Sequence, residues 1–205
     1  MNNKSIFFIG ILGVSLFVIS SFIGGFLIKD YSIISQFISE SYAIDTEYGL
    51  HLRVFGYIPS GILLSLFSFL SIKKLPPSKL IKNGFYGMGV FYGMATIMVG
   101  IFPCDSGCNK LLIDPSISQI IHNLTGALTY VFVPICMILI GMGLKKSPNY
   151  YKLSLLGIAF GLISILFVYL LFSNPNSDYL GLHQRIIESL FVIWILSCAF
   201  KIKNT

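Results

Sequence analysis

The chain has 205 residues, of which 55% are hydrophobic and only 11% charged, and its mean hydropathy is +0.84. An average soluble domain is nearer a quarter charged, so this composition excludes a water-soluble globular protein and points to an all-α, polytopic membrane protein. The net charge of +6 would suit nucleic acid in a soluble protein; here the lysines flank apolar runs, so the charge reads as topology and no nucleic-acid partner is expected.

Residues 5–28 are apolar between Lys4 and Lys29. The run is longer than a signal-peptide core and no A-x-A-like cleavage site follows, so it reads as a retained first span. The loop over 29–52 carries Asp30, Glu40, Asp45 and Glu47. Within it Ile34, Phe37 and Ile38 share one helical face, which predicts a short helix on the membrane surface or tucked under the bundle. A second span covers 53–72, with Pro59 near its outer end, and Lys73, Lys74, Pro76 and Pro77 stop it. In the third, 83–102, Gly89 and Gly93 form a small-xxx-small pair that predicts close helix packing. A polar loop with Cys104, Asp105 and Cys108 leads to a fourth span at 119–144, where Pro134 predicts a kink. The fifth covers 153–172, a turn-rich break follows at 173–178, and the sixth covers 181–200. The expected architecture is one six-transmembrane-helix bundle over residues 1–205.

Six spans put both termini on one side, and the charges decide which. Lys4, Lys73, Lys74, Lys79, Lys82, Lys145, Lys146, Lys152, Lys201 and Lys203 fall on the termini side, ten of the fourteen basic residues. Lys29, Arg53, Lys110 and Arg185 fall on the other side, with all eight acidic residues and all three histidines. The positive-inside rule then makes both termini cytoplasmic and turns the polar groups outward. The sixth span sets the depth of two of them. Residues 190–200 are too few to cross ~30 Å of hydrocarbon, so the helix must recruit 183–189. Glu188 then lies roughly 10 Å below the outer boundary. Arg185 and Glu188, spaced i, i+3, are expected to pair; Gln184 shares the Glu188 face.

Cys104 and Cys108 enclose Asp105, Ser106 and Gly107. On an oxidising face this spacing predicts a local disulfide. By ligand type the two cysteines could instead hold zinc with His122 and His183, although C-x3-C is not a strong metal signature. Cys136 and Cys198 lie inside spans and read as small hydrophobes. His122 and Asn123 open the fourth span; His122 is either a hydrogen-bonded helix-end residue or a general base facing a pocket shared with Asp105 and Glu188. The candidate catalytic residues are therefore Asp105, His122 and Glu188. The candidate binding residues are Glu40, Asn123, His183 and Arg185, the last to hold an anionic headgroup. No P-loop, G-x-S-x-G, H-E-x-x-H or dinucleotide fingerprint is present, so no cofactor is evident. The clustering predicts a site for a lipid or lipid-linked group at the outer leaflet. The alternatives are a small transporter or channel, and a non-catalytic assembly partner within the membrane.

F-P-C-D before the fourth span, H-N at its start, and G-L-H-Q-R-I-I-E leading into a sixth span with Trp194 resemble the prokaryotic membrane proteins grouped as domain of unknown function 998. The stretch Ile38-Ser39-Glu40 is similar as well, so the resemblance covers nearly the whole chain. It implies a six-helix protein of the prokaryotic cell (inner) membrane, supplies no reaction, and marks Glu40, Asp105, His122, Asn123, Arg185 and Glu188. The family pattern does not require the cysteine pair.

Overall fold

A computed structural model describes residues 1–205. It contains helices and no strand. Six long helices follow in order: α1 Asn3–Leu27, α2 Gly49–Lys74, α3 Lys79–Ile101, α4 Ile117–Leu144, α5 Pro148–Ser173 and α6 Leu180–Lys203. The first five are long and apolar enough to cross a membrane. The sixth has 24 residues, but Gln184, Arg185, Glu188, Lys201 and Lys203 lower its hydropathy.

Local chemistry sets several of the ends. Asn2 caps α1 by accepting the Ser5 amide at 2.8 Å, and the Ser116 hydroxyl caps α4 by accepting the Gln119 amide at 3.0 Å. Beyond α2, Pro76 and Pro77 cannot continue the helix. Pro134, expected to kink the fourth span, lies inside an α4 that runs unbroken over its 28 residues.

The helices form a ring. Each packs against its neighbours in sequence, and α6 closes on α1. Small residues make the seams tight. A side chain at Gly93 would meet the Ser65 backbone, and Ser65 donates its hydroxyl to Gly89 O at 3.1 Å. The expected small-residue pair therefore serves the α2–α3 contact. Both termini lie at one end of the ring. The Phe7 and Phe200 rings are 5.0 Å apart there, with Lys203 over Phe7.

Toward this termini end Phe67, Phe85, Met137, Ile140, Trp194 and Cys198 fill the interior. The opposite, loop end is hollow. There α2 and α3 each carry a π segment, Arg53–Tyr57 and Gly89–Met94, which hold Tyr57 and Tyr92. An extra residue per turn re-aims the side chains around it.

The first loop roofs this end. Of the two placements expected for a short helix in this loop, the tucked one is found: a 3-10 helix over Ile38–Tyr42 is buried in the mouth of the ring, while Ile34 lies outside it and is exposed. Glu40 explains the tighter turn, because its carboxylate accepts the Phe37 amide at 2.8 Å. Beside it, Cys104 and Cys108 are joined by a disulfide with Cα atoms 4.8 Å apart.

Candidate functional site

Below the roof lies a chamber of about 370 Å³ to which all six helices contribute. Phe17 comes from α1, Tyr57 from α2, Tyr92 and Thr96 from α3, His122, Asn123, Gly126 and Tyr130 from α4, Leu171 and Phe172 from α5, and Gln184 and Glu188 from α6. The first loop adds Phe37, Ile38, Ser39 and Tyr42, and the third adds Cys108 and Lys110. Phe172 and Pro175 are exposed lining residues at the junction of α5 and α6. Gly126 faces open space, since a side chain there would meet nothing within 4 Å.

Glu188 is the chemical centre. It is buried, and its carboxylate accepts hydrogen bonds from Tyr92 Oη at 2.9 Å and Tyr130 Oη at 3.1 Å. Gln184 donates to Tyr130 Oη at 2.8 Å and accepts the Ile38 amide at 2.6 Å, tying the network to the roof. No cation pairs with Glu188; the one ion pair of the molecule is Lys110–Glu40. Burying a charge is costly without partners, and here phenols supply them. The Tyr42 and Tyr57 rings lie 4.3 Å apart and tilted on the same wall, and Tyr57 Oη is buried without a hydrogen-bond partner. Burial, followed by the Glu188 carboxylate, raises the Tyr42 phenol above the ordinary tyrosine range. His122 is buried too, and its Nδ1 lies 2.9 Å from Phe102 O.

Comparison with protein families matches residues 11–201 to the family described as "Protein of unknown function (DUF998)". The chain belongs to this family. The segment matched to DUF998 holds every lining residue of the chamber, from Phe17 to Glu188. No curated protein and no solved structure matches this DUF998 chain.

The structure divides the residues singled out in this DUF998 sequence. His122, Asn123 and Glu188 line the chamber; Asp105, Glu40, Arg185 and His183 do not. Arg185 and Glu188 do not pair, contrary to the i, i+3 expectation. Arg185 instead donates from Nη1 to Ile33 O at 2.8 Å, Gln36 O at 2.8 Å and Gly181 O at 3.0 Å, and from Nη2 to Tyr31 Oη at 2.6 Å. The first loop brings these acceptors to the start of α6, so the guanidinium turns up to the roof while Glu188 turns inward. Burial raises the Tyr31 phenol and the Arg185 charge opposes it. Asp105 accepts from the Ser116 amide at 3.0 Å and from its hydroxyl. The Ser116 hydroxyl, then its amide, hold the Asp105 carboxyl below the usual carboxylate range. Asp105 is thus a brace for the third loop and does not share the chamber with His122 and Glu188. Glu40 is engaged by Lys110 at 2.9 Å and by Gln36 Nε2 at 3.1 Å. His183 lies beside Phe167, apart from the cysteines.

Four tyrosines and Gln119 escaped the sequence reading. Gln119 is fully buried; it accepts the Asp105 amide at 2.6 Å and donates to Cys108 O at 3.2 Å and Asn123 Oδ1 at 2.8 Å. A glutamine one turn into an apolar helix is a signal that could have found it, since a buried amide needs partners. Tyr92 and Tyr130 gave a weaker one, because tyrosines also populate membrane interfaces.

Proposed function

We propose that this DUF998 protein is a six-helix membrane protein that binds an amphiphile, a lipid or lipid-linked group, in the chamber, with its polar head at Glu188. The 24 residues of α6 rise about 36 Å, enough for a sixth crossing. With the lysine-rich termini end at the cytoplasm, the chamber lies in the outer leaflet of the prokaryotic inner membrane.

The observation that carries this reading is Glu188 itself, a carboxylate held by two phenols and paired with no cation. Ionisable groups buried in membrane helices face partners, water or ligand rather than lipid tails. The volume of about 370 Å³ lies within the range of small-ligand sites. A carboxylate ringed by Tyr42, Tyr57, Tyr92 and Phe17 suits an amine-bearing head, through charge and through the aromatic faces. Arg185 is engaged by the first loop, and Lys110, the one cation of the lining, is paired with Glu40, so neither is free for an anionic headgroup.

Native mass spectrometry from mild detergent tests the proposal. Wild type and Glu188→Gln are each supplied with an amine-bearing phospholipid and with an anionic phospholipid lacking the amine. The amine-bearing lipid should remain on wild type and weaken at least ~10-fold on the variant, the loss of one charge-assisted contact. Equal retention by both proteins, or preference for the anionic lipid, overturns the assignment.

A further inference from the structure

We infer that Cys104, Cys108 and His122 form a redox-gated site for a soft divalent cation of the zinc class, closed while the disulfide stands and open when it is reduced. A ring nitrogen of His122 and the two sulfurs all lie within 4.8 Å of one another, and all three residues are buried. Three ligand atoms at this separation need only small side-chain motions to surround one ion, once the sulfurs are free of each other.

The groups around them fit that use. His122 places Nδ1 against Phe102 O, which directs the proton to Nδ1 and the lone pair to Nε2. Metal-binding histidines are commonly oriented this way, with the second nitrogen tied to a carbonyl or carboxylate. Ser39 Oγ lies 3.2 Å from Cys108 Sγ, where its hydroxyl can donate to a thiolate. The loop has anchors besides the disulfide. Gln119 grips it at the Asp105 amide and the Cys108 carbonyl, and Cys104 O accepts the Ile44 amide at 3.0 Å. Cys108 and His122 also line the chamber, so a fourth coordination position faces inward. Three protein ligands with one open position is the arrangement of reactive rather than purely structural zinc. His183, the fourth ligand considered from ligand types alone, lies elsewhere beside Phe167.

The chemistry balances with a dithiol reductant. That reductant delivers two electrons and two protons, opens the Cys104–Cys108 bond to two thiols, and leaves as its own disulfide. The cation then displaces both thiol protons and binds two thiolates and the neutral imidazole. The inference does not rest on the amphiphile reading, because metal binding is measured without lipid.

The test uses the full chain in mild detergent, oxidised or reduced anaerobically with a phosphine, in a Cys136→Ser/Cys198→Ser background that removes the two free cysteines. Alkylation of denatured samples confirms the state, none of the remaining thiols reacting before reduction and both after it. Cobalt(II) is the probe. The reduced protein should show thiolate-to-cobalt charge transfer and a tetrahedral visible band, saturating at one equivalent, and the oxidised protein neither. Cys108→Ser should abolish the charge-transfer band, and His122→Ala should weaken cobalt binding at least ~10-fold. Circular dichroism checks each variant; if one misfolds, the oxidised-versus-reduced contrast of the unmutated site decides. A reduced, folded protein without the bands, bands unchanged by either substitution, or a disulfide that opens only when the helices melt overturns the inference.

Discussion

Arg185 donates four hydrogen bonds, three of them to the first loop and its Tyr31. It is the residue from which the roof hangs. Arg185→Ala should lower stability in detergent by roughly 2 kcal/mol, the scale of a few bonds from a charged donor less what water restores. Arg185→Lys should recover little of this, because one ammonium cannot span acceptors arranged for a planar fork. Thermal unfolding measures both, and a wild-type melting temperature in Arg185→Ala would refute the role. Asp105 allows a pH test. Its carboxyl is held below the usual range, so it favours the folded state above the ordinary carboxylate pKa of about 4 and loses that effect as pH falls through its folded value. The melting-temperature gap between wild type and Asp105→Asn should be present at neutral pH and close below about pH 4. A gap independent of pH would assign the difference to shape instead of charge. The sequence signalled that Arg185 and Glu188 were out of place beside an apolar span, and that Asp105 sat in a polar loop just outside one. It could not signal their partners, because spacing along one helix reports proximity while three of the four acceptors for Arg185 come from residues 31–36, some 150 positions away.

At the scale of elements, helix ends were legible within a few residues. Apolar runs end where lysines, prolines and capping side chains begin, and these are local features. Even the length of α6 followed from counting back from Lys201. The π segments were not legible, because one extra residue in a turn leaves hydropathy unchanged while re-aiming Tyr57 and Tyr92. At Ile38–Tyr42 the spacing allowed a short tucked helix but could not choose it over a surface one, nor show its 3-10 form. Glycines separate packing from cavity. A side chain at Gly93 would lie 2.5 Å from Ser65 N and 2.8 Å from Ser65 Cα, main-chain atoms that cannot step aside. Gly93→Ala should therefore destabilise the bundle by about 1–3 kcal/mol. Gly126→Leu points into open space, so it should leave the melting temperature nearly unchanged and weaken retention of the amphiphile proposed to bind there. If Gly126→Leu destabilised as much as Gly93→Ala, the chamber would not be open at α4 in solution.

For the whole molecule, the ring divides into a filled half at the termini and a hollow half under the loops, and orientation decides which leaflet the hollow half faces. Lysine placement sets the expectation: ten lie at the termini end, while every acidic residue and histidine lies toward the loop end. Moving lysines across a membrane opposes the retention of positive charge in the cytoplasm, so the loop end should face outward. Single cysteines test this directly, since Cys136 and Cys198 are buried and Cys104 and Cys108 are joined. Asn174→Cys at the loop end should react with a membrane-impermeant maleimide in intact cells. Ser147→Cys, between α4 and α5 at the termini end, should react only after permeabilisation. Labelling of both from outside would mean that α5 does not cross. The reverse pattern would keep the ring but turn the chamber to the cytoplasmic leaflet. There a disulfide would not persist against cellular thiols, and Cys104, Cys108 and His122 would stand permanently reduced.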